Sequence, residues 1–425
     1  MKRLITILIL SVAILLMLGT VTLYSATTYQ PRLDRFWLHL CWIAFGSLAC
    51  VLVSLIDYEW LRRFHLPKCL LGLAVILLVA VLVPGIGVAR NGAARWLFFG
   101  QPSEFAKLAL IMFLADYGAA RQSRMQERNF GFIFPGAMAC VIVFLIFLEP
   151  DWGTAALIAA VSLAMLAIAG THWGYLLSAT IVGAELFALL LLKNPLRMER
   201  LLAFRDPELA QAGVGWQGWH SLLALGCGGW LGTFFGEGHH KNGFVPEQQT
   251  DFILSLLGEE TGFLGTSLVL LLFVLILLCG ARIAWRVSDP FGQLLASGVT
   301  VLIGLQAFIN IAVVTSSLPN KGIALPFVSY GGSNLVCMLL CLGLLISVAR
   351  HGPVLQQPEL ESQFAGHARP RVSGLVGSLL NNSTEPAPKG LWQRLSRWLR
   401  TRRKARFPSV PSRPYQVPPR RTSSA

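Results

Sequence analysis

The feature that most constrains this chain is the recurrence of apolar runs about 20 residues long, the length a helix needs to cross the hydrocarbon core of a bilayer. A segment in lipid must satisfy its own backbone N–H and C=O groups, so these runs are read as helices. Ten are found, at 4–23, 36–55, 69–89, 103–119, 132–147, 153–169, 175–192, 252–285, 293–316 and 326–348. Hydrophobic residues make up 54% of the chain and charged residues 13%, which excludes a large soluble enzyme. The expected fold class is an all-α polytopic membrane protein of about ten transmembrane helices, with a large external loop at 193–251 between spans seven and eight.

The formal charge of +14 suggests a nucleic-acid partner only until it is located. After Ala349 the chain carries 14 Lys and Arg against Glu359, Glu361 and Glu385, so most of the excess sits in one tail. Residues 1–350 are thus expected to form a membrane domain, and 351–425 a basic, disordered cytoplasmic tail that favours membrane attachment over nucleic acid. Within the tail, Trp392, Leu395, Trp398 and Leu399 stand among arginines at helical spacing, as in a surface-lying amphipathic helix or simply a solvated basic segment. Further basic clusters follow alternate spans: Arg62, Arg63 and Lys68, then Arg121, Arg124 and Arg128, then Arg282 and Arg286. With ten crossings all of these lie on one side, placing both termini in the cytoplasm and 193–251 outside. Arg197, Arg200 and Arg205 run against that bias, but long loops translocate largely regardless of charge. The stretch GWQGWHSLLALGCGGWLG is apolar enough to predict re-entrant or interfacial helical pieces in this loop.

The eight cysteines are scattered without a CxxC, so neither a disulfide framework nor a zinc site is indicated. Lys2 and Arg3 precede an apolar stretch too long for a cleaved signal, and it is read as a retained first span.

Ionisable groups within spans are costly, which directs attention to three places. Glu104 and Lys107 lie at i and i+3 and can neutralise each other, or can simply occupy a first helical turn after Pro102. Glu149 and Asp151 flank Pro150, where a helix N-cap by Asp151 is the plain explanation. Asp251 opens span eight, with Ser255 and Glu259 at i+4 and i+8, and Gly258 and Gly262 form a small-xxx-small pair for close helix approach. Asp251 is either a helix cap or a carboxylate placed to accept a proton from an attacking hydroxyl. His239 and His240 are adjacent, which is not helical metal-ligand spacing. No GxxxxGK[ST] motif supports ATP-driven transport. Arg95, Arg200, Lys241 and Lys321 fall on the external side, where each can meet a pyrophosphate or remain a solvated loop charge.

Taken together, five segments resemble the SEDS family (shape, elongation, division and sporulation), which includes FtsW, RodA and SpoVE: NGAARWLFFGQPSEFAKLAL from Asn91, EPDWGTA from Glu149, GWQGWHSLLALGCGGWLG from Gly215, PEQQTDFILSLLGEETGFLG from Pro246, and LPNKGIALPFVSYGGSNL from Leu318. The LPNKG form and the long tail look more like the FtsW and SpoVE branch than RodA. The resemblance implies a peptidoglycan glycosyltransferase that joins lipid II into glycan strands on the outer face of the inner (plasma) membrane, releasing undecaprenyl pyrophosphate. It places the family's essential loop aspartate on Asp251, its fourth-span charges on Glu104 and Lys107, and its aspartate after span five on Asp151. Ser329 of the PFVSYGG block and Glu259 join the supporting set. Many relatives carry a histidine where this chain has Gln249, so no histidine base or ligand carries over at that place.

On this reading Asp251 deprotonates the C4 hydroxyl of the acceptor sugar, and positive charge from Arg95, Lys241 or a divalent cation (Mg or Mn) receives the departing pyrophosphate. No cofactor is otherwise expected. The implied partners are a class B penicillin-binding transpeptidase and division-complex proteins at the septum. Two other functions fit a multi-span bundle with intramembrane charges, a lipid II flippase and a non-catalytic division scaffold; neither needs Asp251 as a base.

Overall fold

The computed structural model describes residues 1–29, 33–90, 93–97, 100–193, 198–201, 204, 213, 215–238 and 249–353. Its helices are α1 (Lys2–Tyr29), α2 (Leu33–Leu55), α3 (Tyr58–Arg63), α4 (Leu66–Leu82), α5 (Pro102–Ala120), α6 (Phe134–Leu148), α7 (Trp152–Ile168), α8 (Trp173–Leu192), α9 (Trp216–Cys227), α10 (Ile253–Arg286), α11 (Pro290–Val314) and α12 (Gly332–His351). A two-stranded antiparallel hairpin, β1 (Val88–Arg90) and β2 (Ala93–Trp96), joins α4 to α5.

A helix stands at each of the ten expected spans. Seven, namely α1, α2, α6, α8, α10, α11 and α12, are long and apolar enough to cross a membrane, α6 counted with the turn before it. The apolar α4 and α7 are shorter, and α5 carries Glu104, Lys107 and Asp116. Two expected boundaries are corrected. The third run does not continue to Ala89, because Pro84 and Gly85 end α4 and the chain turns into β1. The tenth does not start at Pro326, because residues 326–331 form a non-helical turn ahead of α12.

Packing arranges the helices around α11, which contacts α5, α7, α10 and α12; α12 lies along α2, and α10 along α1. In contrast, α8 exposes nearly its whole apolar surface, including Leu177, Val182 and Leu189, as a lipid-facing helix would. The basic clusters converge on one end of this bundle. Arg62 of α3 pairs with Asp116 near the end of α5 at 3.1 Å, and Tyr58 packs on Phe291 at the start of α11. Ser288, just beyond α10, donates its N–H to the carbonyl of Pro353, just beyond α12, at 2.9 Å. The 19 residues of α5 separate this end from Gln101 by about 28 Å.

Within α10, Gly262 adopts φ 67° and ψ −162° and breaks the helix. The freed backbone groups are taken up by the segment following α9: Phe263 and Leu264 donate to the carbonyls of Gly229 and Trp230 at 2.9 and 3.3 Å, while Thr233 and Phe234 donate to those of Glu259 and Glu260 at 3.0 and 3.1 Å. Irregular backbone at membrane depth requires such protein partners. Gly258 and Gly262 thus admit a close neighbour as their spacing predicts, but the neighbour is α9 and the Gly228–Gly232 turn from the segment between α8 and α10: a Cβ on Gly258 would strike Leu225, and one on Gly262 would strike Gly232.

Candidate active site

The end of the bundle opposite the basic clusters gathers most of the residues singled out in the sequence. Asp251 lies in a turn ahead of α10, whose N-cap is Phe252 and receives no side-chain cap. Asp251 is therefore not the helix cap, and its expected alignment with Ser255 and Glu259 on one helical face is corrected. Ser255 Oγ instead donates to the carbonyl of Phe252 at 2.7 Å, and Glu259 is fully buried beside the Thr233 contact.

The segment 318–331 closes over Asp251. A methyl group built on Gly322 would stand 3.0 Å from Asp251 Oδ2, so backbone and carboxylate lie in direct apposition. The same segment rests on the start of α7, where a Cβ on Gly153 would meet Ile323 at 3.2 Å and Lys321 at 3.7 Å. Lys321 Nζ lies 5.1 Å from the centre of the Phe187 ring. Ser329 serves the turn itself: it is buried, and its Oγ accepts from the N–H of Leu325 at 2.8 Å. Tyr330 donates its N–H to the carbonyl of Gln249 at 3.0 Å, and Gln249 Oε1 accepts from Arg35 Nη1 at 2.9 Å, tying the loop acid's neighbour to α2.

Beneath the acid runs a buried amide ladder on α11. Asn310 Nδ2 donates to the carbonyls of Asp251 and Ile323 at 2.8 and 2.7 Å. One turn away, Gln306 Nε2 donates to the carbonyl of Ala324 at 3.0 Å and to Asn334 Oδ1 at 2.9 Å, while its Oε1 accepts from Lys107 Nζ at 3.0 Å. Lys107 also pairs with Glu104 at 2.8 Å. The two charges do neutralise each other; Glu104 does stand in the first turn of α5, and both residues are buried. Gln306, Asn310 and Asn334 were not among the candidates; the available signal was an amide pair at i and i+4 in an apolar span, where uncompensated polar groups are costly.

Asp151 is the N-cap of α7, accepting from Thr154 N and Oγ1 at 3.2 and 2.9 Å. It also accepts from Gln101 Nε2 at 3.1 Å, and Gln101 N–H donates to Ser333 Oγ at 3.1 Å. Arg95 of the hairpin donates to the carbonyls of Glu149 and Pro150 at 3.0 and 2.6 Å, so its charge is held over the turn by neutral acceptors. The buried Glu149 carboxyl has no hydrogen-bond partner among the described residues. Its pKa is pushed up to about 8, first by burial and then by Asp151, with Arg95 opposing. Arg200 is exposed. Lys241, the His239–His240 pair and the basic tail segment at 391–407 lie outside the described residues. Among the described residues no group of three or more His, Cys, Asp or Glu is disposed to hold a metal ion.

Between α2, α4, α5 and α12 lies a groove of about 220 Å³, walled by Trp42, Phe45, Leu77 and Leu340 and ending on Gln101 and Glu104. Fold and site together define a multi-pass membrane protein with a carboxylate-bearing cluster at one end of its helical bundle. The chain belongs to the FtsW/RodA/SpoVE family of cell cycle proteins, whose sequence model matches residues 3–353. It is 38% identical over 353 residues to the "Probable peptidoglycan glycosyltransferase FtsW" of Trichlorobacter lovleyi, covering 81% of this chain and 92% of that one. It is 36% identical over 354 residues to stage V sporulation protein E of Bacillus subtilis, covering 81% and 96%. A solved structure described as "Structural coordination of polymerization and crosslinking by a peptidoglycan synthase complex" matches with a TM-score of 0.68 at 28% identity, over 81% of this chain and 96% of that one. The rod shape determining protein RodA of Thermus thermophilus matches with a TM-score of 0.60 at 29% identity, over 81% and 95%.

Proposed function

We propose that this chain is a peptidoglycan glycosyltransferase of the division machinery, polymerising lipid II at the outer face of the plasma membrane with Asp251 as the base. The observation that carries the reading is the apposition of Asp251 and Gly322 at the end of the bundle remote from the basic clusters. With ten crossings and positive charge inside, both termini are cytoplasmic and this end faces outward. The names of the relatives support the activity.

In this mechanism the Asp251 carboxylate takes the proton of the acceptor's C4 hydroxyl as that oxygen attacks the anomeric carbon of the donor. The donor's bond to pyrophosphate breaks in the same displacement, and an α linkage becomes β by inversion. Arg95, held by neutral carbonyls, and Lys241 supply positive charge to the leaving group. Lys107 is already engaged by Glu104 and Gln306 and acts in support. The apolar groove suits the polyprenyl chain, with its polar end at Gln101. A class B transpeptidase fits as partner because a structural neighbour is a complex that couples polymerisation to crosslinking.

The test is to supply lipid II to the purified chain, with and without its transpeptidase, and to size the products on a gel in chelator and in added magnesium or manganese. Glycan strands are expected. Transfer of intact lipid II between vesicle leaflets without strand formation would instead identify a flippase, and neither product a scaffold.

A further inference from the structure

We propose that Asn310 is a positioning residue for Asp251, fixing the carboxylate against Gly322 by holding the backbone on both sides of that contact; this rests on the reading of Asp251 as the base. The Asn310 amide has two N–H groups, and they are used on the carbonyls of Asp251 and Ile323, two segments 72 positions apart in sequence. Ile323 directly follows Gly322, the residue against which Asp251 Oδ2 rests. One side chain thereby sets the separation of the acid-bearing turn from the strip of backbone facing it. Asn310 Oδ1 is buried without a partner among the described residues, so the amide acts at this place through its donors. Gln306 extends the same clamp to Ala324, and its orientation is set by the Lys107 ammonium, which admits only the amide oxygen. The buried Glu104–Lys107 pair is thus joined to Asp251 through two amides on one face of α11.

Two variants perturb this contact from opposite sides. Asn310→Ala removes both donors, and Gly322→Ala pushes on the carboxylate while leaving the Asn310 donors in place. In the strand-synthesis assay with the full chain, each is expected to lower kcat by about tenfold or more, as small misplacements of a reacting group do. KM for lipid II should stay within about twofold, with the acid limb of the kcat–pH profile displaced by about half a unit or more, since the environment of the base has changed. A merely structural residue would lower the yield of folded protein and leave the pH profile in place. If folded Asn310→Ala keeps the parent kcat and pH profile, the clamp is wrong. If that variant does not fold, Gly322→Ala decides on the same two readings. Asp251→Asn is run alongside: activity in that variant overturns the base itself, whereas its loss together with parent-like Asn310→Ala and Gly322→Ala overturns the positioning role alone.

Discussion

Lys107 Nζ lies 2.8 Å from Glu104 Oε2, with 2% of the lysine side chain exposed and 11% of the glutamate's. Removing one member of such a pair leaves a buried charge, which costs about 3–5 kcal/mol, whereas replacing both with neutral groups of similar size is far milder. Lys107→Met is therefore expected to lower the unfolding midpoint in detergent sharply, and the double variant Glu104→Gln with Lys107→Met to recover most of it. A double variant as unstable as the single would contradict a pair held by mutual compensation.

A second expectation concerns the break in α10. Gly262 occupies backbone space that is essentially closed to side chains, where strain costs about 1–3 kcal/mol, and an added methyl would also meet the Trp230 carbonyl at 2.7 Å. Gly262→Ala should destabilise the protein by at least that amount. Gly72, inside α4 with nothing within 4 Å of its added methyl, should tolerate alanine or gain about 0.5–1 kcal/mol. Thermal unfolding of the two variants side by side checks both signs.

The bundle was legible because apolar runs of spanning length leave few alternatives, and helices stand where those runs lie. The non-helical pieces were less so. The hairpin at 88–96 rests on a Pro-Gly break followed by a short strand pair that hydropathy does not register. The register of Asp251 was misread because helical spacing was extended two residues ahead of Ile253, where the chain is still turning. Asn310 and Gln306 escaped notice because an uncharged amide barely disturbs a hydropathy window, and its importance comes from carbonyls 13 to 59 positions away. For Asp151 the plain reading as a helix cap proved structurally right.

Glu149 supplies a pH prediction. Its folded-state pKa is raised to about 8, so the folded protein keeps a proton that the unfolded chain has released. The associated stability is full below the ordinary carboxylate pKa and is lost as pH rises through about 8. Glu149→Gln, neutral throughout, should remove that loss, so the gap between parent and variant midpoints should widen in the variant's favour from about pH 5 to pH 9. Parallel midpoint–pH curves would contradict a protonated Glu149.

The most direct test of the proposed chemistry is strand synthesis by the purified chain carrying Asp251→Asn, with its unfolding midpoint measured on the same preparation. Asparagine keeps the shape facing Gly322 and removes the proton acceptor. Strand synthesis should fall by about a hundredfold or more while the midpoint stays within a few degrees of the parent. Strands made at the parent rate by that folded variant would contradict a base at Asp251.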